Sequence, residues 1–223
     1  MNPVTDPCVK EYLENLLPVH TGLLARLETM AQAQQIPVIL PEVAALIEVL
    51  IKTTGSRRIL EVGTAIGYSA ILFATAAGSD SQVITIERAP HFVDLARQHI
   101  EEAGLAQRIK VMPGDALEVL PQLTKKVDLI FLDGAKGHYL EMLAHCLTLL
   151  KPGGLLISDN ILYKGMVTGE HPVQRRQKTI VTRMRSYLET ISHHPQLHTS
   201  LLSIGDGLAV SFYMPQEEEG HNE

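Results

Sequence analysis

The fold is decided by the stretch Ile59-Leu60-Glu61-Val62-Gly63-Thr64-Ala65-Ile66-Gly67-Tyr68-Ser69, in which an apolar run ends in a glycine turn and a second apolar run follows. Gly63 permits a sharp turn, and Gly67 lets a ligand approach the backbone where the next helix begins. The pattern is not Gly-x-Gly-x-x-Gly, because Ala65 stands where a pyrophosphate-binding turn has its second glycine. We therefore predict a strand that turns into a helix at a cofactor site of another type.

The acidic residue before the first glycine restricts the ligand. Glu61 would repel a phosphate, but it can receive the ammonium group of an amino acid. Glu87 ends the next apolar run, 24 positions after Gly63, near the offset at which an acid meets ribose hydroxyls. Asp115, in Gly114-Asp115-Ala116, can accept a hydrogen bond from an adenine amino group. Each feature alone also fits an ordinary strand-ending turn, but together they favour a cofactor such as S-adenosylmethionine (SAM).

Outward from this stretch, short apolar runs alternate with helical patterns, which is typical of a parallel sheet with right-handed crossovers. The predicted strands are 57–62, 82–87, 108–112, 127–133 and 153–159. The predicted helices between them are 68–77, 90–103, 116–122 and 138–150.

The two ends of the chain differ from this alternating part. Residues 6–54 repeat leucine, isoleucine and valine at helical spacing and predict extra N-terminal helices. An amphipathic segment at 173–192 precedes two β-like runs, 197–204 and 207–214, and Gly205-Asp206 between them predicts a tight antiparallel hairpin. We expect one α/β domain over 1–223, with a seven-stranded, mostly parallel sheet. Its parts are N-terminal helices at 1–54, a core at 55–214 and an acidic tail at 215–223.

Composition excludes several classes of protein. The formal net charge of −6 argues against bulk non-specific binding to nucleic acid, although it leaves a local basic patch open. Cys8 and Cys146 form no Cys-x-x-Cys pair, which argues against a disulfide framework or a cysteine zinc site. The first residues do not resemble a signal peptide, and the apolar runs are too short to span a membrane. We expect a cytoplasmic protein.

Oxygen ligands end the fourth and fifth predicted strands. Asp133 follows one, and Asp159-Asn160 follow the other. Neighbouring strand ends face the same crevice in an open parallel sheet, and these hard ligands favour Mg²⁺, Mn²⁺ or Ca²⁺. Lys136 lies three residues beyond Asp133, where a dication would favour the neutral amine that removes a hydroxyl proton. The alternatives are helix caps for the aspartates and a surface position for the lysine.

These motifs resemble the cation-dependent class I O-methyltransferases, which include the catechol and caffeoyl-CoA enzymes. EVGTAIGYSA, TIER, GDALE, FLDGAK, KPGG and SDNILYKG occur in that order across nearly the whole chain. The resemblance implies a Rossmann-like methyltransferase fold, metal ligation by Asp133, Asp159 and Asn160, and Lys136 as the base. It also implies a SAM pocket formed by Val38, Glu61, Gly63, Ser69, Glu87, Asp115, Ala116 and Asp133.

Some motifs are closer to the bacterial tRNA 5-hydroxyuridine methyltransferases, which form 5-methoxyuridine at the wobble position. These are TAIGYSAI, AKGHY, ILYKGMV and SIGDGLAVS. Plant relatives tend to carry Asp-Ala-Asp-Lys, whereas this chain has Asp133-Gly134-Ala135-Lys136. The resemblance thus implies the tRNA anticodon loop as partner, with a small catechol-like phenol as the alternative.

Two further features bear on partners. The 173–192 segment carries five basic residues on one face, which either contact phosphates or form an ordinary solvated surface: Arg175, Arg176, Lys178, Arg183 and Arg185. The N-terminal helices are more apolar than the sheet requires, and we expect a homodimer packed through Tyr12, Leu16, Leu23 and Leu27.

Overall fold

The computed structural model describes residues 7–215, so the predicted acidic tail lies outside the described residues apart from Pro215. Three helices come first, strands and helices then alternate, and an antiparallel pair of strands follows. The helices are α1 Pro7–Glu14, α2 Gly22–Gln34, α3 Pro41–Thr54, α4 Tyr68–Ala77, α5 Pro90–Glu102, α6 Ala116–Val119, α7 Tyr139–Leu149 and α8 Lys178–Ser192. The strands are β1 Arg58–Val62, β2 Gln82–Glu87, β3 Ile109–Pro113, β4 Val127–Leu132, β5 Leu150–Asp159, β6 Leu197–Leu202 and β7 Leu208–Tyr213.

The strands form one seven-stranded sheet in the order β3-β2-β1-β4-β5-β7-β6. The first five strands run parallel, and β7 pairs antiparallel with both β5 and β6. The order reverses at β1, from which one half of the sheet extends to β3 and the other to β6. The predicted Rossmann-like α/β fold is confirmed, and a ligand crevice is expected beyond the carboxyl end of β1.

Helices cover both faces of the sheet. Successive residues of a strand point to opposite faces, so Ile59 and Phe131 join the core beneath α2 to α5, while Leu60 and Leu132 join the core beneath α6 to α8. Amphipathic helices such as α5 and the 15-residue α8 place their apolar side against the sheet, whereas α4 is buried along most of its length. Within residues 7–215, no helix has the length and apolar character needed to cross a bilayer.

The N-terminal helices differ from expectation in what they bury. Leu27 is 1% exposed in the core under α2 to α5, and Leu23 packs against that core. Both were expected to face a second copy of the chain, but α2 and α3 need them to cover their own side of the sheet. Tyr12 and Leu16 are each 64% exposed.

The C-terminal hairpin is also wider than predicted. The last pair of its ladder is Leu202 with Leu208, so Ser203 to Gly207 form a five-residue loop in place of the predicted Gly205-Asp206 turn. The loop extends because Ile204 packs on the core near α3 and Gly207 N–H closes a turn onto the Ile204 carbonyl at 2.9 Å. The remaining predicted boundaries differ by a few residues, and α8 begins later, at Lys178, after a 3₁₀ turn.

Candidate functional site

The carboxyl ends of β1, β2, β4 and β5 meet at one edge of the sheet. The Val62 carbonyl at the end of β1 accepts hydrogen bonds from Asp133 N–H at 3.0 Å and Gly134 N–H at 2.8 Å. Leu132 and Ser158 are register partners on β4 and β5. Asp133, directly after β4, and Asp159, the last residue of β5, therefore occupy neighbouring positions at this edge of the sheet. The parallel register thus joins the sequence motifs in one place.

The two glycines of the first motif are required by close packing. Gly63 has φ 107°, and a Cβ atom there would lie 2.8 Å from Gly134 N. Gly67 has φ 84°, and a Cβ there would lie 3.3 Å from the Ala96 side chain on α5. A side chain at Gly63 would therefore separate the turn after β1 from the turn after β4.

Glu61 is completely buried at the end of a chain of hydrogen bonds. Thr85 on β2 donates its hydroxyl to Glu61 Oε2 at 2.5 Å, and the Thr64 hydroxyl lies 2.6 Å from that of Thr85. Among the described residues, Glu61 Oε1 has no hydrogen-bond partner. Burial raises the pKa of Glu61 to about 7, although the nearby hydroxyls of Ser69 and Thr85 oppose this shift. A cationic donor at Oε1 would satisfy this oxygen and favour the ionised carboxylate.

A cleft joins the strand ends on the β2 side of the glycine turn. It is lined by ten residues: Val62, Gly63, Ile86, Glu87, Arg88, Gly114, Asp115, Ala116, Gly134 and Ala135. Glu87 accepts backbone N–H bonds from Ala65 at 3.0 Å and Ala89 at 2.8 Å. Asp115 caps α6 by accepting a bond from Leu117 N–H at 3.0 Å, which leaves its other oxygen 3.8 Å from Arg88. Both acids are thus held in place at the cleft wall.

Four predicted cofactor residues, Gly63, Glu87, Asp115 and Ala116, line this cleft, and the others do not. Glu61 is buried behind the turn, and Ser69 is buried in the first turn of α4. Val38 lies in the connection between α2 and α3, half-buried against the core beneath these helices. The described contacts do not join Val38 to the cleft.

The expected metal ligands and base lie at the ends of β4 and β5. Lys136 Nζ donates to the Asp133 carbonyl at 3.0 Å and to Asp133 Oδ1 at 3.1 Å. Asp159 is 3% exposed, and its Oδ1 accepts a bond from Asn160 N–H at 2.6 Å. In neither case does the aspartate cap the helix that follows, so the capping alternative loses its support.

The carboxylates of Asp133 and Asp159 repel each other; Asp159 is buried and Asp133 is partly buried. Burial, reinforced by the charge of Asp133, raises the pKa of Asp159 to about 7. Burial also raises the pKa of Asp133, although the Lys136 ammonium opposes this. Along residues 7–215, no group of three or more His, Cys, Asp or Glu side chains is arranged to hold a metal. A metal bound between Asp133 and Asp159 would therefore depend on the amide oxygen of Asn160 as its third protein ligand.

Sequence analysis missed several residues that organise the site. Tyr139 on α7 lies with its hydroxyl 2.9 Å from the Leu132 carbonyl and 3.1 Å from the Asp159 carbonyl, and so bridges β4 and β5. His99 on α5 donates Nδ1–H to the Ile66 carbonyl in the glycine turn at 2.8 Å. Thr85 on β2 bonds Glu61, as described above. All three act through the backbone or a buried acid. Tyr139 and Thr85 stood inside the quoted motifs AKGHY and TIER, but no role was assigned to either.

The basic face of α8 is smaller than the sequence predicted. Arg183 Nη1 donates to the Gly137 carbonyl at 3.1 Å and lies 3.3 Å from Glu141 Oε1. Arg185 Nε donates to the Val167 carbonyl at 2.8 Å. These two arginines hold neighbouring loops of the same chain. Three other basic residues are exposed and make no described bond to a distant loop: Arg175, Arg176 and Lys178. Arg176 Nε donates only locally, to Gln174 Oε1 at 3.0 Å.

Comparison with known proteins identifies the family of this chain. A family model described as O-methyltransferase matches residues 20–213. The catechol O-methyltransferase of Niastella koreensis is 31% identical over 180 residues, which cover 78% of this chain and 81% of that protein. The catechol O-methyltransferase of Mycobacterium tuberculosis is 31% identical over 162 residues, which cover 70% of this chain and 71% of that protein.

A solved structure extends the similarity to three dimensions. The O-methyltransferase of Bacillus cereus, crystallised in complex with SAH, superposes with a TM-score of 0.81 at 28% identity, covering 92% of this chain and 97% of that one. The predicted family resemblance is confirmed, whereas the closer kinship with tRNA-modifying enzymes finds no support in these relatives. The chain belongs to the O-methyltransferase family typified by catechol O-methyltransferases.

Proposed function

We propose that the protein transfers a methyl group from SAM to one hydroxyl of a small phenol that carries two adjacent oxygens, with a divalent cation held by Asp133, Asp159 and Asn160. The observation that carries the proposal is the neighbouring placement of Asp133 and Asp159 at the carboxyl ends of paired strands, beside Lys136 and the cleft of the glycine turn. The catechol substrate of the named relatives supports the phenol class.

The residues that line the cleft, and Glu61 buried behind its glycine turn, fit SAM. Glu61 Oε1 is a buried acceptor that lacks a partner among the described residues, and the ammonium of the methionine part could satisfy it. Glu87 is fixed by two backbone N–H bonds where it could accept from ribose hydroxyls. Glycine at 63 keeps the wall free of a side chain. The buried acid would repel a pyrophosphate, which supports a donor of the SAM type.

The oxygen ligands fit a hard dication. Asp133 and Asp159 each have a raised pKa, and Lys136 supplies a single compensating charge nearby. A dication would relieve the repulsion between the two carboxylates, and Mg²⁺ or Mn²⁺ prefers carboxylate and amide oxygens. Ca²⁺ has the same preference with a larger coordination shell.

The chemistry follows from these positions. When bound, SAM supplies an electrophilic methyl group and the cation supplies positive charge that stabilises a deprotonated oxygen. Lys136 Nζ, in its neutral form, takes the proton of the attacking hydroxyl. Bound SAM would supply its methyl group to the deprotonated oxygen, and the electron pair of the broken carbon–sulfur bond would remain on the sulfur of SAH. Asp133 orients Lys136 through two hydrogen bonds at 3.0 and 3.1 Å, so the base is held before substrate binds.

The test is methyl transfer to matched phenols. Catechol and caffeoyl-CoA carry adjacent oxygens, whereas resorcinol has the same two hydroxyls one carbon further apart. We expect methylation of the adjacent pair, little of resorcinol, loss of turnover with EDTA and recovery with Mg²⁺. Equal rates on catechol and resorcinol, or turnover that survives EDTA, would contradict the proposal.

A second candidate is the 5-hydroxyuridine of a tRNA anticodon loop, whose 5-hydroxyl and 4-carbonyl oxygens are also adjacent. The observation that favours it is the exposed group Arg175, Arg176 and Lys178 at the start of α8, which could meet phosphates. In this case an anticodon stem-loop with 5-hydroxyuridine would be methylated and the same loop with uridine would not. The double charge reversal Arg175→Glu/Arg176→Glu would slow the RNA reaction and leave catechol turnover unchanged. Turnover on catechol alone would dismiss this candidate.

We also propose a homodimer formed through the exposed apolar side chains of the N-terminal segment, which are Tyr12, Leu13, Leu16 and Val19. Each is more than half exposed, which is costly for so many neighbouring apolar groups on a monomer. Sedimentation should give the mass of two chains, and Leu16→Glu should give one. A monomer mass for the unchanged protein at all concentrations would reject the dimer.

A further inference from the structure

The segment after β5, which carries the proposed ligand Asn160, has an unusual backbone. Asn160, Tyr163 and Lys164 have φ of 56°, 45° and 57°, in the left-handed region. Asparagine tolerates this region, but tyrosine and lysine rarely adopt it. Such conformations persist only where neighbouring structure holds them, and they often occur at functional sites.

The β6–β7 loop holds this segment in place through three hydrogen bonds. Ile161 N–H donates to the Gly207 carbonyl at 3.1 Å, and Leu162 N–H donates to the Asp206 carbonyl at 2.9 Å. Lys164 N–H donates to Asp206 Oδ1 at 2.7 Å. Asp206 is thus the residue that bonds the segment with both its backbone and its side chain, and its carboxylate fixes a left-handed residue.

The β6–β7 loop and the segment after β5 also pack closely against each other. Gly207 has φ 84°, and a Cβ there would lie 2.9 Å from Ile161 Cγ1. On its other side the loop is anchored to α3, because a Cβ at Gly205 would lie 3.0 Å from Val43 Cγ2. The loop therefore lies between α3 and the Asn160 segment. A shift of Asp206 would displace the residues to which it is hydrogen-bonded.

Asp206 also lies close enough to the proposed metal site to act by charge. Its carboxylate contributes to the raised pKa of Asp159, after burial and Asp133. Lys136 and Lys164 oppose the effect of burial on the pKa of Asp206 itself. Two roles are thus open for the carboxylate, and they predict opposite responses to substitution: a long-range negative charge that attracts a cation, or a hydrogen-bond acceptor that fixes the backbone.

We propose that Asp206 is a positioning residue whose carboxylate oxygen holds the Asn160–Lys164 segment and thereby keeps Asn160 ready to ligate the cation. The proposal rests on the proposed function, since it presumes a divalent cation at Asn160. The bond from Lys164 N–H needs an acceptor at the place of Oδ1 and does not need the charge. Asparagine at 206 can therefore supply it, whereas glutamate cannot without moving the oxygen by one methylene group.

The experiment measures Mn²⁺ affinity by electron paramagnetic resonance titration of the full chain, without substrate, for the unchanged protein and for Asp206→Asn, Asp206→Glu and Asp94→Ala. Asp94 is an exposed acid on α5 and serves as the control for lost surface charge. We expect Asp206→Asn to bind within about threefold of the unchanged protein and Asp206→Glu to bind about 10-fold or more weakly, as for residues that orient metal ligands. Asp94→Ala should bind normally. SAH affinity should be unchanged in all four, because the cleft does not involve the β6–β7 loop.

The outcomes separate the two roles. Weakened binding in Asp206→Asn with normal binding in Asp206→Glu would overturn the proposal and make the charge responsible. Equal binding in all four proteins would overturn it as well. If the unchanged protein bound no Mn²⁺ but retained SAH, the metal part of the proposed function would fail, and this inference with it. A loss of SAH affinity together with Mn²⁺ affinity would indicate general disruption and would also count against a positioning role.

Discussion

Two regions of the sheet edge are built in different ways: the cofactor side, around the glycine turn after β1, and the metal side, at the carboxyl ends of β4 and β5. Around the glycine turn, positive φ falls mainly on glycines, and buried hydrogen bonds join Glu61, Thr85 and Thr64. Around β4 and β5, positive φ falls on Ala135, Asn160 and other residues with side chains, and two carboxylates repel each other. The first region is complete apart from one acceptor oxygen. The second needs an added cation, and this contrast leads to the predictions below.

The largest effect is expected on the metal side. Asp159→Asn keeps the shape of the side chain but removes the charge, so kcat/KM at fixed Mg²⁺ should fall by more than about 100-fold. The metal-free variant should melt at pH 8 no lower than the unchanged protein, because a buried carboxylate beside Asp133 is removed. The matched control is Asp80→Ala, an exposed acid at the opposite edge of the sheet, which should keep full activity. Activity retained in Asp159→Asn would show that this side chain holds no cation.

On the cofactor side, Gly63→Ala tests how closely the two turns approach. The added Cβ would meet Gly134 N at 2.8 Å in a left-handed backbone. The free energy of unfolding should fall by about 2–5 kcal/mol, and SAH affinity should fall with it. Gly104→Ala is the control, since Gly104 has φ 68° with open space around it and reports the backbone cost alone. Equal losses in the two variants, measured by urea denaturation, would mean that the contact with Gly134 contributes nothing.

The pH dependence of stability tests the unsatisfied oxygen of Glu61. Burial raises the pKa of Glu61 from 4.5 to about 7, so its neutral form stabilises the fold below pH 4.5, and this contribution is lost as pH rises through 7. The change is on the order of 3 kcal/mol between these limits. Glu61→Gln stays neutral and should show a smaller decline between pH 5 and 8, with the remainder due to Asp159.

The same residue predicts how the cofactor responds to pH. If the ammonium of SAH meets Glu61, binding to the unchanged protein should tighten as pH rises through 7, because the ionised form is the one that pairs with a cation. Titration calorimetry at pH 5.5 and 8 should show this in the unchanged protein and not in Glu61→Gln. A parallel pH response in both would place the ammonium elsewhere.

A smaller effect is expected at His99, which holds the glycine turn from α5. His99→Leu leaves the Ile66 carbonyl without its donor and should cost about 1–2 kcal/mol of stability. The KM for SAM should rise several-fold while the KM for the phenol at saturating SAM stays the same. His99→Asn keeps a donor near the place of Nδ1 and should restore much of the loss. If leucine and asparagine behave alike, the hydrogen bond is not what matters.

The sequence predicted the sheet and the acidic strand ends because their signals are local. Gly63, Glu87 and Asp159 stand within or directly after apolar runs, and the parallel register then brings them together. The roles of Thr85 and His99 could not be predicted, although Thr85 stands in the motif TIER, because their partners lie 24 and 33 positions away and are selected by packing. The five-residue β6–β7 loop was missed for the same reason, since contacts with α3 and the Asn160 segment, and not turn propensity, determine its length.

The basic residues of α8 illustrate the limit most clearly, because helical spacing placed them on one face but did not reveal which were already engaged. Arg183 donates to the carbonyl of Gly137, the residue directly after the proposed base, and forms an ion pair with Glu141. The Arg183 side chain is 43% exposed. An exposed ion pair contributes at most about 1 kcal/mol, so Arg183→Ala should barely change the melting temperature. It should nonetheless lower kcat two- to fivefold on catechol, since the lysine loop loses a tether, and Arg183→Lys should recover part of this. Arg175→Ala, with no such tether, should leave catechol kinetics unchanged. If both alanine variants turn over catechol at the same rate, Arg183 does not help to hold the lysine loop. Asp133 and Tyr139 alone would then hold it, and the metal side would be more rigid than its strained backbone suggests.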